Sequence, residues 1–293
     1  MGCNTGLGNI HHDMDLMPNG NALLLSAELC TIDGTPMGDN KPVKGDTIFE
    51  VTPEGEVVWE WHAFNVLDIT RFPGSLSQRL KQSPQGQSYD WTHANALSYV
   101  AEDDTIIMSL RHQNWVIKID HQTKQILWIL GDTTDENIDK SFSLAPGGEW
   151  FYSQHAPQLQ NDGTILIYDN GNERPDNPNS YSRAVLYSID EKTLNAVQLW
   201  EYKTETYTSF LGDANKLENG NFLVIAGGVR TQGGNGGGAP IPGTGAVVEV
   251  APGAGEGDMR SGFGGENLKV WELTANAFIY RAERIISFWP EEP

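Results

Sequence analysis

One repeated pattern limits the folds open to this 293-residue chain more than any other feature. Three times a histidine stands four residues before a leucine at the start of a strand-like run, at His12–Leu16, His93–Leu97 and His155–Leu159. A fourth copy, Asp213–Leu217, keeps the spacing but has aspartate in place of histidine. A short turn and another run of β-forming residues follow each leucine. The repeat predicts similar β units that place one ionisable residue at the same point.

Each unit reads as four strand-like segments, and the outermost segment carries a tryptophan. The units start about 60 to 80 residues apart, and the loops make them longer than the roughly 40 to 50 residues of common propeller repeats. Short four-stranded antiparallel units separated by turns favour a β-propeller over a sandwich. We therefore predict an all-β fold, a β-propeller of four-stranded antiparallel blades. The outer-strand tryptophans that we expect to pack between neighbouring blades are Trp59, Trp128, Trp200 and Trp271.

About four blades are recognisable, and residues 276–288 are predicted to form a further strand pair. These C-terminal strands have no evident N-terminal partner, because the chain opens almost directly on the first unit. We expect residues 1–293 to form a single propeller domain that lacks its N-terminal blades. The two cysteines, Cys3 and Cys30, are too few for a disulfide framework or a cysteine-type zinc site. Whether they bond to each other is left open.

The chain is strongly acidic, with a formal net charge of −20 from 39 acidic and 19 basic residues. This charge repels nucleic acid and anionic membrane surfaces, and we predict neither as a partner. Insertion into a membrane is not expected, since no stretch approaches the roughly 18 to 20 continuous apolar residues of a membrane span. The first residues lack the basic and apolar regions of a secretory signal. The chain is therefore either cytoplasmic or lacks its natural N-terminus.

If the inner strands line a central channel, His12, His93 and His155 converge there from adjacent blades. Arg111 begins the turn after the second strand of its blade, and in an acidic protein an arginine beside imidazoles is typical of an anion clamp. Successive strand residues face opposite sides of a sheet. That alternation predicts a structural role for His11, next to His12, and for His112, next to Arg111.

The three histidines are also compatible with zinc and an open fourth coordination position. However, none of the three histidine-bearing units has a carboxylate at the repeat position, and a nearby arginine opposes a cation. We predict no metal and no cofactor. Three histidines and an arginine suit the transfer of a tetrahedral oxyanion: cationic groups neutralise its oxygens, a neutral imidazole attacks, and another imidazole moves the proton.

Several motifs together resemble the bacterial arylsulfate sulfotransferases, and the similarity runs from about His11 to the C-terminus. That resemblance implies a six-bladed propeller that moves a sulfuryl group from a phenolic sulfate ester to another phenol. It further implies a ping-pong reaction through a sulfohistidine that does not use the nucleotide donor PAPS. The matching motifs are His11-His12-Asp13, Asp90-Trp-Thr-His93-Ala-Asn95, Ser109-Leu-Arg111-His-Gln113, Gln154-His155-Ala-Pro157 and Asp169-Asn-Gly171.

By this resemblance, His155 is the sulfurylated nucleophile, whereas His12, His93 and Arg111 bind and polarise the sulfuryl group. His12 or His93 assists proton transfer, and Asn95 contributes to substrate binding by orienting His93. The implied partners are an aryl sulfate donor and a phenol acceptor, with a homodimer left open as the oligomeric state. The implied location is periplasmic or secreted, although no signal peptide is present in the sequence.

This sequence departs from the family in three respects. The family's N-terminal β-sandwich domain, its early propeller blades and its disulfide have no visible counterpart here. Two other hypotheses therefore stay open: a non-catalytic propeller module that binds aryl or anionic ligands, and a metal-dependent propeller hydrolase.

Overall fold

The structure is a computed structural model that describes residues 2–4, 6–83, 86–133, 138–175, 180–229, 244–254 and 263–284. The chain divides into two compact units. The first unit comprises Met1–Ser143, Trp150–Gln154 and Glu191–Asn195, and the second comprises Leu144–Glu149, His155–Asp190 and Ala196–Pro293. That both belong to a single domain stays a prediction.

The first sheet of the first unit is a four-stranded antiparallel core with additions at its edges. It contains β1 (Gly2–Asn4), β2 (Ile10–Leu16), β3 (Ala22–Ile32), β4 (Lys41–Val51), β5 (Val57–His62), β6 (Leu80–Ser83) and β7 (Gly86–Asp90). The core order is β2-β3-β4-β5. Strand β1 pairs antiparallel with the end of β3, β7 pairs in parallel with β4, and β6 pairs with β7. The sheet therefore has seven strands rather than the four that the repeat predicts.

The second sheet of the first unit is a regular antiparallel meander in the order β11-β10-β9-β8. Its strands are β8 (Ala94–Val100), β9 (Thr105–Leu110), β10 (Trp115–Asp120) and β11 (Ile126–Gly131). Every residue of β9 is buried, because both faces of this central strand are covered. Trp59 of β5 donates its indole N–H to the carbonyl of His121, 2.8 Å away, in the β10–β11 turn. The predicted packing of Trp59 between blades is therefore confirmed.

The second unit contains most of the third sheet and all of the fourth. The third has the order β12-β16-β15-β14-β13 and the fourth the order β17-β18-β19-β20. Trp200 of β16 stacks on Phe222 of β18 with ring centroids 4.1 Å apart, as expected for an inter-blade contact. The strands are β12 (Ser143–Leu144), β13 (His155–Leu159), β14 (Thr164–Asp169), β15 (Arg183–Asp190), β16 (Asn195–Lys203), β17 (Asp213–Lys216), β18 (Phe222–Val229), β19 (Thr244–Ala254) and β20 (Phe263–Ala275).

The predicted fold class is confirmed: the protein is all-β and built from propeller-type antiparallel blades. Within the described ranges, α-helix is limited to α1 (Leu76–Arg79). No helix in this part of the chain is long and apolar enough to cross a membrane.

Two details of the sequence-based prediction are wrong. Residues 276–284 form no strand, and the rest of the predicted C-terminal strand pair lies outside the described residues. Trp271 is 41% exposed and donates its indole N–H to Glu249 of its own sheet, whereas we expected it between blades.

A disulfide joins Cys3 to Cys30, a pairing that the sequence left open. Antiparallel pairing of β1 with β3 places the two residues directly opposite each other. The contact depends on how strands distant in sequence pair, which a count of cysteines does not reveal.

Candidate active site

The three inner strands at the repeated histidines share an interruption near their start: β2 contains His12, β13 begins with His155, and β8 directly follows His93. The pairing register shifts between Ile10 and Met14 on β2, between Ala94 and Ala96 on β8, and between His155 and Gln158 on β13. A left-handed residue accompanies each shift: the φ angles are 57° at His12, 49° at His93 and 47° at Ala156. By contrast, β17 pairs regularly with β18 from Asp213 onwards. The alternation of side chains across a sheet therefore does not apply where the histidines lie.

The irregular start of β2 brings His11 and His12 together. Their Nδ1 atoms are 2.8 Å apart, and His11 Nε2 lies 3.0 Å from Oδ1 of Asp46. The His12 ring stands 5.1 Å from that of His93, centroid to centroid. The strand-alternation argument that separated His11 from His12 is wrong, because the left-handed backbone at His12 breaks the period of two.

His93 is held by a carboxylate from its own motif. Its Nδ1 lies 2.6 Å from Oδ2 of Asp90, which is almost fully buried. Two backbone hydrogen bonds connect the start of β8 to the 3₁₀ turn Arg111–Gln113: Arg111 N–H donates to His93 O at 3.2 Å, and His112 N–H donates to Thr92 O at 3.0 Å. These hydrogen bonds hold the turn that follows β9, which begins at Arg111, beside His93.

His112 supports both His93 and Arg111. Its ring is 2% exposed and lies 4.4 Å from the His93 ring, centroid to centroid. His112 Nδ1 is 2.8 Å from the carbonyl oxygen of Asp90, and Nε2 is 2.7 Å from Nη1 of Arg111. Because a carbonyl only accepts and a guanidinium only donates, Nδ1 carries the proton of a neutral imidazole and Nε2 accepts. The expected separation of His112 from Arg111 is wrong, since the 3₁₀ turn replaces strand geometry here.

The local pKa values keep part of this cluster neutral. Burial, followed by the charges of His93 and His11, lowers the pKa of His12 to about 4, although one side of the residue faces solvent. Burial also lowers the pKa of His112, with His93 adding to the effect. Burial opposes ionisation of Asp90, but the charge and hydrogen bond of His93 hold its pKa well below the ordinary value of 3.8. Asp90 is thus a carboxylate beside His93, whereas His12 and His112 are neutral at pH 7.

A second carboxylate, that of Asp46, binds the residues on either side of His93, Thr92 and Ala94. It accepts hydrogen bonds from the Thr92 hydroxyl and, at 2.7 Å, from the backbone N–H of Ala94. Burial opposes its ionisation, yet the hydrogen bond and charge of His11 keep its pKa below the ordinary value. Asp46 therefore links β2 to the start of β8, where His93 lies.

One trio in this cluster has the composition of a metal site. One donor atom from each of Asp90, His93 and His112 lies within 4.8 Å of the others. Both nitrogens of His112 are already used, however, and the guanidinium of Arg111 contacts one of them at 2.7 Å. A divalent cation would have to displace this contact and lie beside a permanent positive charge. The arrangement suits an anion better than a metal ion.

His155 lies in the second unit and has an amide as its partner. The residue is 4% exposed, and its Nδ1 is 2.6 Å from Oδ1 of Asn170, which is fully buried. Asn170 in turn donates its amide hydrogens to the carbonyl oxygens of Thr208 and Leu211, each at 2.8 Å. Pairing of β13 with β14 opposes His155 to Tyr168 and so brings the residues after β14 beside the imidazole.

A buried ion-pair group lies next to Asn170 along the chain. Oδ2 of Asp169 is 2.6 Å from Nη2 of Arg174 and 2.9 Å from Nε of Arg183. All three side chains are almost completely buried. Burial disfavours the charge of Arg183, but the surrounding acids, Asp169 first, hold its pKa above the ordinary value. This group anchors the segment that carries Asn170.

The structure thus brings His12, His93 and Arg111 together in the first unit. In the second unit, His155 is held by its hydrogen bond with Asn170. Asn95 donates to the carbonyl oxygen of Gln154 at 2.8 Å, while the hydrogen bond on His93 Nδ1 involves Asp90. That Asn95 binds substrate stays a prediction. Sequence reasoning missed four supporting residues, although Asp90 and Asn170 lie within quoted motifs. Besides Asp46, Asp90 and Asn170, the fourth is His112, for which the sequence predicted only a structural role and not a contact with Arg111.

Comparison with known proteins agrees with these motifs. Residues 3–262 match the family model for arylsulfotransferase (ASST). The arylsulfate sulfotransferase AssT of Escherichia coli O6:H1 strain CFT073 is 30% identical over 253 residues, which cover 68% of this chain and 41% of that protein. AssT of Lelliottia amnigena is also 30% identical, over 210 residues that cover 55% of this chain and 35% of that protein.

The chain therefore spans about two fifths of the length of the curated relatives it matches. Among solved structures, the periplasmic gluconolactonase PpgL of Pseudomonas aeruginosa is 11% identical with a TM-score of 0.37, covering 90% of this chain and 85% of that one. The family match extends over most of the sequence and includes every motif discussed above. The chain belongs to the arylsulfotransferase (ASST) family.

Proposed function

We propose that this chain transfers a sulfuryl group from a phenolic sulfate ester to a phenolic acceptor, without PAPS, by a ping-pong reaction through a sulfohistidine at His155. The observation that carries the proposal is the hydrogen bond between His155 Nδ1 and Asn170 Oδ1, at 2.6 Å. It occupies one imidazole nitrogen and directs attack to the other, Nε2. A buried histidine held in this way, at the repeat position of a blade, meets the requirement of a nucleophile for a defined tautomer.

In the first half-reaction, the lone pair of His155 Nε2 forms a bond to the sulfur of the donor. The bond between sulfur and the phenolic oxygen breaks, and its electron pair stays on that oxygen, which takes a proton from an acid. In the second half-reaction, the acceptor phenol loses its proton to the same group, its oxygen attacks sulfur, and the N–S bond breaks. The enzyme returns to its initial state with all atoms accounted for.

We assign this proton transfer to His93, between the two candidates that the sequence left open. The carboxylate of Asp90, 2.6 Å from Nδ1, stabilises the positive charge that His93 acquires when it holds a proton. His12, with a pKa of about 4, is neutral at pH 7 and suits hydrogen bonding to the sulfuryl oxygens rather than proton donation.

Arg111 is the proposed anion clamp. A guanidinium offers several donors in one plane to the oxygens of a tetrahedral anion. His112 accepts from Nη1 at 2.7 Å and so orients that plane. The chain carries a net charge of −20, and a local cation is needed to hold a sulfate ester in such a field.

The proposal includes a periplasmic or secreted location. Disulfides persist mainly in oxidising compartments, and the Cys3–Cys30 disulfide supports this location. The homodimer stays a prediction.

The decisive experiment is mass spectrometry of the intact protein after brief incubation with 4-nitrophenyl sulfate. We expect an increase by one sulfuryl group that maps to His155 and disappears when a phenol is added. Nitrophenol release in steady state should require the acceptor phenol. Release without acceptor would indicate a sulfatase, and aryl sulfate binding without any adduct would indicate a binding module.

A further inference from the structure

We propose that Asn170 is the positioning residue that holds His155 as the Nδ1-protonated neutral tautomer and thereby selects Nε2 as the attacking atom. This inference rests on the proposed role of His155 as nucleophile. It concerns the residue that prepares the nucleophile rather than the nucleophile itself.

The orientation of the Asn170 amide follows from its surroundings. The side chain is fully buried, so its NH₂ group needs two acceptors within the protein. The carbonyl oxygens of Thr208 and Leu211 provide them, each 2.8 Å from Nδ2. A flipped amide would place its oxygen against two carbonyl oxygens and leave the NH₂ facing His155. The oxygen Oδ1 is therefore the atom that faces the imidazole.

The orientation of the amide determines where the His155 proton lies. An amide oxygen only accepts hydrogen bonds, and Oδ1 is 2.6 Å from His155 Nδ1. Nδ1 must then carry the proton, which in a neutral imidazole leaves the lone pair on Nε2. The contact is a direct hydrogen bond between two buried residues, and tautomer exchange would break it.

The segment around Asn170 is held in place on both sides. The hydroxyl of Ser182 donates to the Asn170 carbonyl at 3.0 Å and accepts the backbone N–H of Thr208 at 2.9 Å. After Asn170, Gly171 adopts a φ of 72°, and a Cβ there would meet the carbonyl oxygen of Tyr181 at 2.1 Å. The turn therefore requires glycine. These contacts hold the backbone of Asn170 in place and so position Oδ1 next to His155.

The choice of an amide has a chemical consequence. Attack by a neutral imidazole yields a ring with a proton on Nδ1 and the sulfuryl group on Nε2, and this ring carries positive charge. An amide oxygen stabilises the Nδ1 proton but does not remove it, so the ring leaves readily when the acceptor attacks. A carboxylate at the same place would favour the imidazolium before the reaction, when Nε2 has no lone pair to donate.

The first test measures the tautomer directly. We would record ¹⁵N spectra of the ¹⁵N-histidine-labelled full chain at neutral pH and assign His155 by comparison with a His155→Gln variant. We expect the shifts of a neutral ring protonated on Nδ1. Protonation on Nε2 would overturn the inference whether or not the protein transfers sulfuryl groups. This measurement needs no Asn170 variant to fold and no activity.

The second test compares Asn170→Ala with Asn172→Ala. Asn172 lies in the same turn and bonds to Ser209 and Tyr207, with an Nδ2–O distance of 2.8 Å to Ser209, so it is a matched control. We expect Asn170→Ala to mix the His155 tautomers and to lower kcat about 10- to 100-fold with little change in KM, as for loss of a supporting residue. Asn172→Ala should change neither. Unchanged tautomer and kcat in Asn170→Ala would overturn the inference.

A third variant, Asn170→Asp, separates positioning from mere packing. The new side chain has nearly the same shape but supplies a carboxylate. We expect the acidic limb of the kcat profile to move to higher pH, because the imidazolium form of His155 would persist further into the neutral range. An unshifted pH profile in a folded Asn170→Asp variant would show that the amide acts only through packing, and the inference would fall.

Discussion

His93 and His155 occupy equivalent positions in two blades, yet the groups that hold them differ in charge. His93 directly precedes β8 and His155 begins β13, and the β ladder of each strand is interrupted near its start. Asp90 approaches Nδ1 of His93 with a carboxylate, whereas Asn170 approaches Nδ1 of His155 with an amide, both at 2.6 Å. The blade repeat thus determines where each imidazole lies. The side chain that contacts its Nδ1, a carboxylate or an amide, determines which form of the imidazole is stabilised.

The partners suit the two roles that we propose. A carboxylate helps a histidine to take up and return a proton, because it stabilises the charged form. An amide oxygen holds a histidine in the neutral form whose lone pair lies on the other ring nitrogen, the form that attacks. In the fourth sheet, Asp213 stands at the position of the repeated histidines, but its strand β17 pairs regularly with β18. Burial raises the pKa of Asp213. The interrupted ladder accompanies only the histidine-bearing copies.

The largest expected difference between the two histidines is in the effect of replacing each by alanine. We expect His155→Ala to abolish the sulfuryl adduct and to lower kcat by at least about 10³-fold, the scale for loss of a catalytic nucleophile. His93→Ala should slow turnover but still permit an adduct on His155. Intact mass spectrometry and circular dichroism would verify both, and an adduct of normal yield in His155→Ala would contradict the assignment.

Arg111→Lys tests the anion clamp that lies next to His93 and His112. The change keeps the positive charge but loses the planar donors and the contact with His112. We expect kcat/KM for an aryl sulfate to fall about 10²-fold, the scale for loss of an oxyanion donor. Arg281→Lys, at an exposed arginine, is the matched control and should have no effect. Equal losses in the two variants would remove Arg111 from the site.

Asp90→Asn gives His93 the kind of partner that His155 has, and so erases the difference. We expect kcat to fall about 10- to 100-fold, the range for loss of a supporting partner. The loss should be greatest for donors with poorly acidic leaving phenols, because these need a proton from His93 most. Rates measured over a series of substituted phenyl sulfates would show it. The same loss for every donor would assign Asp90 a purely structural role.

The smallest expected effect is on stability in mild acid. His112 has a pKa below its ordinary 6.5 in the folded protein, and that of His12 is about 4. The unfolded chain binds protons at these residues as the pH falls below 6.5, whereas the folded chain does not. The free energy of unfolding should therefore decrease from about pH 6.5 towards pH 5.

The variant His112→Gln should lose less unfolding free energy between pH 6.5 and pH 5 than the wild type. The difference should be on the order of 1 kcal/mol, because one residue with a lowered pKa is removed. Urea unfolding at pH 7.5, 6 and 5 would measure it. Asp90 contributes little to this range, since its ordinary pKa is 3.8. A slope that is unchanged in His112→Gln would mean that His112 is already protonated in the folded protein.

Much of the fold could be read from local patterns. The alternation and turn signals around residues 105–131 predict strands that the structure has as β9, β10 and β11, because strand periodicity and turn chemistry act over a few residues. The same patterns failed over residues 276–284, where apolar spacing alone did not produce a strand. Strand formation there would need a partner strand, and periodicity does not provide one.

The site was harder to predict than the strands. The repeat frame and motifs indicated His12, His93, His155 and Arg111 as candidates, but the assumption of alternating faces wrongly separated His11 from His12 and His112 from Arg111. Alternation holds only along an uninterrupted ladder, and a φ of 57° at His12 and the 3₁₀ turn at Arg111 end it. Such local breaks depend on tertiary contacts, among them the carboxylate of Asp46 that binds Thr92 and Ala94.

By itself, then, the sequence determined the blade repeat, the family and the residue types available for chemistry, since these are properties of order along the chain. Tertiary structure alone decided which group faces each imidazole. Asn170 reaches His155 through the pairing of β13 with β14, and Cys3 reaches Cys30 through that of β1 with β3. Hydrogen bonds and tautomers depend on contacts of about 3 Å, and a folded backbone sets those distances between residues that are far apart in sequence.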